Sequence, residues 1–265
     1  MLTSRRLAQT AVAVALSAAV AACGSAKVAP SPPAKSAAAS PLAAPRNPVP
    51  SPRPTRARPH PVDCRTARCV ALTFDAGPGR DTAELLDILK AKRVNATFFL
   101  LGNDIRTRPR LVTREDLEGH EVGNHSWTHP RLTEVSDAEI RSELGRVQKR
   151  VRQLTGRTPT LMRPPQGRTD ERVAAVARSL GLAQILWTVT ASDYRDHDPD
   201  VITSRVLEGA APGGIILLHD IYPGTVPAVP GIIDGLRARG LTPVTVSQLF
   251  APDKPQAGTA YWNAG

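Results

Sequence analysis

Residues 71–79 read ALTFDAGPG. Ala71 to Phe74, with Val70 in front, is an apolar run of strand length, and the Gly-Pro-Gly that follows turns the chain. Asp75 therefore stands at the lip of a buried strand. Ala76, the small residue beside it, occupies a place where a second carboxylate could stand.

The same punctuation recurs outward to the C-terminus. Further strands are expected at 96–101, 121–124, 160–162, 183–189, 214–218 and 242–246. Helical patterns lie between them at 81–93, 136–154, 170–180, 199–210 and 229–239, with a less regular helix ending at Gly119-His120. Asp81/Glu84 and Ser136/Glu139 have capping-box spacing, and Gly156 and Gly181 read as stops. About seven strands alternating with helices argue for parallel strands in a single α/β domain. About 200 residues are few for a complete eightfold barrel, so the expected architecture is a distorted or incomplete (β/α) barrel. A doubly wound open sheet is the competing arrangement.

The chain divides by composition. Residues 1–22 carry Arg5 and Arg6 and then an apolar run to Ala22, the pattern of a signal peptide. The run ends Ala21-Ala22-Cys23-Gly24, which resembles a lipobox. Cys23 is then the lipidation site, and the exported protein is anchored to the outer face of the cell membrane. Residues 23–63, rich in Pro, Ala, Ser and Arg, cannot bury enough surface to fold and read as a disordered tether. Extended at about 3.1 Å per residue, it reaches on the order of 100 Å. The folded domain is expected at 64–252, with a C-terminal tail at 253–265. Residues 1–69 hold ten Lys/Arg and one Asp; residues 70–265 hold 24 Lys/Arg and 23 Asp/Glu. Of the net charge of +10, +9 thus lies in residues 1–69, and this basic excess, read as the tether's, suits anionic lipid or wall polymer. A nucleic-acid-binding fold would concentrate its basic charge on the domain, so no nucleic-acid partner is expected. Cys64 and Cys69, five apart in an exported chain, read as a disulfide pinning the start of the fold.

In a (β/α) barrel the chemistry collects at the C-terminal ends of strands. Five expected strand ends carry groups able to bind metal or move a proton. They are Asp75; His125 to His129; Arg163; Asp193; and His219. His125 and His129, four apart, can bring two imidazoles to one side of a turn to hold a divalent ion. His219 ends an apolar strand and needs a partner to hold its tautomer, for which Asp193 is the candidate. It suits a general acid, Asp75 a general base, and Arg163 the cation that aims Asp75. His120 and His197 read as surface or capping residues, and His60 lies in the tether.

Together these residues resemble the polysaccharide deacetylase family, the group with a NodB-homology domain (carbohydrate esterase family 4). The likeness covers about residues 69–250. The family's T-F-D-D-G-P stands here as Thr73-Phe74-Asp75-Ala76-Gly77-Pro78. Its H-[ST]-x-x-H is intact from His125 to His129. Its R-x-P-Y-G is Arg163-Pro164-Pro165-Gln166-Gly167, its D-x-x-D-W is reduced to Thr190-Ala191-Ser192-Asp193-Tyr194, and its L-x-H is Leu217-Leu218-His219.

The resemblance implies a distorted (β/α) barrel and metal-assisted removal of N-acetyl groups from cell-envelope amino-sugar polysaccharide, foremost peptidoglycan. It makes Asp75 the base, His219 the acid, Arg163 and Asp193 their orienting partners, and His125 and His129 ligands of a divalent metal, commonly zinc. Leu217 would line the pocket for the acetyl methyl, with Pro165 and Trp187 beside it. Ala76 replaces the family's third metal ligand. Either another side chain such as Asp75 supplies the contact, or the ion is weakly held, or catalysis is lost and the protein only binds glycan. An O-acetyl esterase would use the same residues.

Overall fold

The computed structural model describes residues 55–265. The leader, Cys23 and most of the expected tether lie outside the described residues. The strands are β1 (Cys69–Asp75), β2 (Thr97–Leu100), β3 (Glu121–Asn124), β4 (Leu161–Met162), β5 (Ala183–Ile185), β6 (Val189–Thr190), β7 (Ile215–His219), β8 (Thr242–Val244) and β9 (Ala260–Tyr261). The helices are α1 (Thr82–Lys92), α2 (Gly102–Thr107), α3 (Pro109–Leu117), α4 (Asp137–Thr155), α5 (Glu171–Ser179), α6 (Pro199–Gly209), α7 (Thr225–Ala238) and α8 (Val246–Phe250).

The strands form one parallel sheet in the order β6-β7-β1-β2-β3-β4-β5-β9, with β8 also paired to β1. All seven residues of β1 are buried, as a strand covered on both faces requires. It sits centrally: β7 pairs with Ala71–Asp75, while β8 and β2 share the opposite edge. Phe74 and Phe98 stack at 5.3 Å between centroids in the layer between sheet and helices. Such a pair adds about 0.5–1.5 kcal/mol beyond the area it buries.

The expected distorted, incomplete (β/α) barrel is the fold found, and the sheet ends at β6 and β9 rather than closing. The expected strand at 183–189 is two strands. β5 pairs with β4 and β9, β6 pairs with β7, and Leu186-Trp187-Thr188 spans the gap between them. Buried Arg163 fills that gap, its Nε donating to the Ile185 carbonyl at 2.9 Å and its Nη2 to the Leu186 carbonyl at 3.0 Å. Those carbonyls have lost the neighbour strand that would have paired them.

Both expected domain limits shift outward. Arg56, placed in the tether, donates to Asp116 at 3.0 Å and to the His120 carbonyl at 2.8 Å. The Ala57 N–H donates to the Leu117 carbonyl, and the His60 N–H to Asn95. The supposed tail contributes β9, a sheet edge. The Cys64–Cys69 disulfide is present, with Cα atoms 5.5 Å apart. At α1 the capping box does not form, because the Asp81 carboxylate is taken by Arg80. At α4 Ser136 does accept the Glu139 N–H. Helix α7 starts four residues before the expected 229, despite Pro227 and Pro230. Pro227 falls in the first turn, where its missing N–H costs nothing, and Thr225, Val226 and Ala228 are all buried. Among the described residues no helix is long and apolar enough to cross a membrane.

Candidate active site

The parallel register sets two of the expected residues side by side. Asp75 ends β1, His219 ends β7, and the two are direct partners across the ladder. Beyond them opens a cavity of about 370 Å³ lined by Asp75, His125, His129, Trp187, Leu217 and His219, among others. Larger concavities, of about 660 and 790 Å³, lie along Arg157–Asp253 and Arg58–Pro252 and contain none of these groups. Chemistry rather than volume selects the site.

Each reactive group has a fixed support. Arg163 Nη1 donates to Asp75 Oδ1 at 2.7 Å and to Thr73 Oγ1 at 2.8 Å, while Thr73 donates to the Ile216 carbonyl at 2.6 Å. The guanidinium lies 4.4 Å over the Phe99 ring. Burial works against its charge, and the Asp75 carboxylate compensates in part. Across the cavity, Asp193 Oδ1 lies 2.8 Å from His219 Nδ1, and its Oδ2 accepts the His219 N–H and the Thr225 hydroxyl, each at 2.7 Å. A carboxylate can only accept, so Nδ1 carries a proton and Nε2 is the exchangeable nitrogen. Burial disfavours the imidazolium, but the hydrogen bond and charge of Asp193, with Asp75 behind, outweigh it and raise the His219 pKa above its ordinary 6.5.

The other histidines are pushed the opposite way. Burial lowers the His125 pKa to about 4 and depresses that of His129. Both are therefore neutral at pH 7. His125 Nδ1 lies 2.8 Å from the Arg163 carbonyl, an acceptor, so its Nε2 lone pair is bare, 3.7 Å from Asp75 Oδ2. The His125 and His129 rings lie 4.9 Å apart. The loop that carries them is held by Glu143, which accepts the Trp127 and Thr128 N–H groups at 2.8 and 2.7 Å. Two neutral imidazoles with Asp75 beside them suit a divalent ion. Among the described residues, however, no group of three or more His, Cys, Asp or Glu converges as a complete metal cage, and Ala76 offers only a methyl.

Five residues at these strand ends have positive φ: Ala76 (65°), Ser126 (66°), His129 (65°), Gln166 (58°) and Ser192 (51°). The left-handed region costs an L-residue about 1–2 kcal/mol, and strain of this kind gathers at functional sites.

Asp75, His125, His129, Arg163, Asp193 and His219 are thus brought together, and Leu217 and Trp187 line the cavity. Pro165 does not. The turn at Pro165–Gly167 buries it, and its neighbours Pro164 and Gln166 face the cavity instead. His120 is not a surface residue: it is buried, accepts the Ala96 N–H and has its pKa lowered by burial to about 3. His197 stacks on Tyr222, which lines the cavity and had no signal in the sequence. Thr73 and Glu143 were also missed. Thr73 lies two residues before Asp75 on the same strand, but Glu143 lies a helix away from the loop that it supports.

The profile of the family described as polysaccharide deacetylase matches residues 63–185. The chain is 40% identical over 200 residues to the peptidoglycan-N-acetylglucosamine deacetylase PgdA of Listeria monocytogenes, covering 75% of this chain and 42% of that protein. It is 36% identical over 190 residues to a peptidoglycan-N-acetylglucosamine deacetylase of Bacillus cereus, covering 70% of this chain and 69% of that one. A solved structure described as T48 deacetylase with substrate superposes with TM-score 0.73 at 38% identity, covering 76% of this chain and all of the other. The chain spans about two fifths of the length of the Listeria relative.

Proposed function

This chain belongs to the polysaccharide deacetylase family, and from that premise we propose that it hydrolyses N-acetyl groups on cell-envelope amino-sugar polysaccharide, foremost peptidoglycan. One observation carries the reading. Asp75 and His219 are register partners at one cavity, each backed by an oppositely charged or hydrogen-bonding partner, Arg163 and Asp193. That sets a base and an acid side by side at one cavity, where both can serve one scissile bond. Asp75 takes the proton of the attacking water. His219 Nε2–H delivers a proton to the departing sugar nitrogen, so that acetate and a free amine leave. Leu217 and Trp187 offer apolar surface to the acetyl methyl and sugar. His125 Nε2 and His129 would hold the divalent ion, zinc by the nature of the donors. When bound, it polarises the amide carbonyl and acidifies water. The lipobox at Cys23 and the long Pro-rich segment support an anchor at the outer face of the membrane, within reach of the wall.

Ala76 favours a second reading, a glycan-binding protein without turnover. Acetate release from peptidoglycan and N-acetylated chito-oligomers decides between them. It would be measured with chelator, then with added zinc or cobalt, beside Asp75→Asn. Metal-dependent release that Asp75→Asn abolishes supports the hydrolase. Saccharide binding with no release on any substrate, acetyl esters included, supports the second reading.

A further inference from the structure

Two glycines in the turn after β1 are packed against a single aspartate. A methyl group on Gly77 would lie 2.5 Å from Asp220 Oδ2, and one on Gly79 would lie 2.6 Å from the Asp220 carbonyl oxygen. Asp220 is fully buried and directly follows His219. Thr82 Oγ1, also fully buried, donates to Asp220 Oδ2 and accepts the Gly79 N–H at 2.6 Å. On its other side the turn is pinned by the Leu101 N–H, which donates to the Gly77 carbonyl at 3.0 Å. The turn held in this way begins at Asp75. Neither Asp220 nor Thr82 lines the cavity.

We propose that Asp220 and Thr82 are positioning residues, whose hydrogen bond locks the turn carrying the base to the strand end carrying the acid and so fixes the Asp75–His219 separation. The consequence for rate rests on the deacetylase reading; the geometric lock does not. A buried carboxyl is a costly way to fill space, and apolar residues of the same shape do so at less cost. Here Asp220 Oδ1 has no partner among the described residues, and burial, partly offset by the Thr82 hydrogen bond, raises the Asp220 pKa to about 6. The expense is explained if the bond sets a distance that chemistry needs, since a displacement of about 1 Å at a reacting group costs on the order of 10²-fold in rate.

His219 reports that distance, because the Asp75 charge is one of the influences that favour its imidazolium. The test is Thr82→Val in the full chain, which keeps the shape and removes the donor, beside Thr82→Ser, which keeps the hydroxyl. The His219 ring proton is titrated by NMR in chelator, assigned by its loss in His219→Gln, with acetate-release kinetics in parallel. In Thr82→Val the His219 midpoint should fall by about 0.5 pH unit as Asp75 draws away. The kcat should drop about tenfold with KM held within about twofold, and Thr82→Ser should restore both. A midpoint that does not fall in folded Thr82→Val, or that Thr82→Ser fails to restore, overturns the proposal. Should the unaltered protein release no acetate, the deacetylase reading falls, and the titration still decides the lock.

Discussion

Ala76 is the residue on which the chemistry turns. It is nearly buried, follows the base, and holds φ at 65°, a conformation in which Asp and Asn are several-fold enriched over other non-glycine residues. Ala76→Asp should therefore fit the backbone and add a carboxylate beside His125 and His129. Zinc affinity, read by chelator competition, should rise on the order of tenfold or more. Unchanged affinity would mean that position 76 does not face the ion. At His219 the sign of the pH effect is fixed. Its pKa lies above 6.5, an acid must hold its proton, and activity therefore falls as pH rises through that pKa. Asp193→Asn removes both the charge and the best acceptor, so the basic limb of kcat/KM should move to lower pH by about one unit. A limb that stays in place would assign it to another group. These residues were legible in the sequence because each follows its own strand, and strand ends in this architecture converge. Thr82 and Asp220 were not legible, because their meeting joins positions 138 apart and no local pattern encodes it.

At the scale of an element, the sequence names what a segment is better than where it stops. The apolar run at 183–189 reads as one strand because periodicity cannot see that Leu186 has changed neighbours. The physical cause, the Arg163 guanidinium wedged against two carbonyls, lies on another strand end. Helix α3 holds the opposite kind of surprise. Its polar sequence suggests a solvated helix, yet Glu115 is fully buried and neither carboxyl oxygen has a partner among the described residues. Burial, with the Asp220 charge adding to it, pushes its pKa well above 4.5. The folded chain therefore retains a proton that the unfolded chain releases, and stability is lost as pH rises from about 4.5 toward the raised pKa. Glu115→Met removes the liability. It should stabilise the protein by about 1–3 kcal/mol at pH 8, and by less at pH 5. Denaturant unfolding at the two pH values checks this, and an equal effect at both would mean that Glu115 finds a partner in solution.

For the whole molecule, composition drew the boundary in the wrong place for a physical reason. Residues 55–63 are as rich in Pro and Arg as the segment before them, and Val62 is their one large apolar residue, packed at the edge of the core. Most of what they contribute is polar: they supply partners to groups at one end of the domain. Arg56 satisfies Asp116 and the carbonyls of Gly119 and His120 at once, and the His60 carbonyl accepts from Gln248. The Arg56 side chain is 26% exposed and that of Asp116 11%, so the pair is only partly screened by water. Arg56→Ala in the full chain strips three hydrogen bonds from a cation and leaves a mostly buried Asp116 with, among the described residues, only the distant Arg157, at 3.8 Å. A charge-assisted bond of this kind contributes about 1.5–3 kcal/mol. The variant should lose about 2 kcal/mol, equivalent to a Tm about 5 °C lower. Removing residues 1–63 should cost at least as much, because the Ala57 and His60 bonds go too. Thermal unfolding of the three proteins separates the cases. Equal Tm values would put the boundary back at residue 64. A graded loss would show that the fold begins inside the segment that its composition marks as tether.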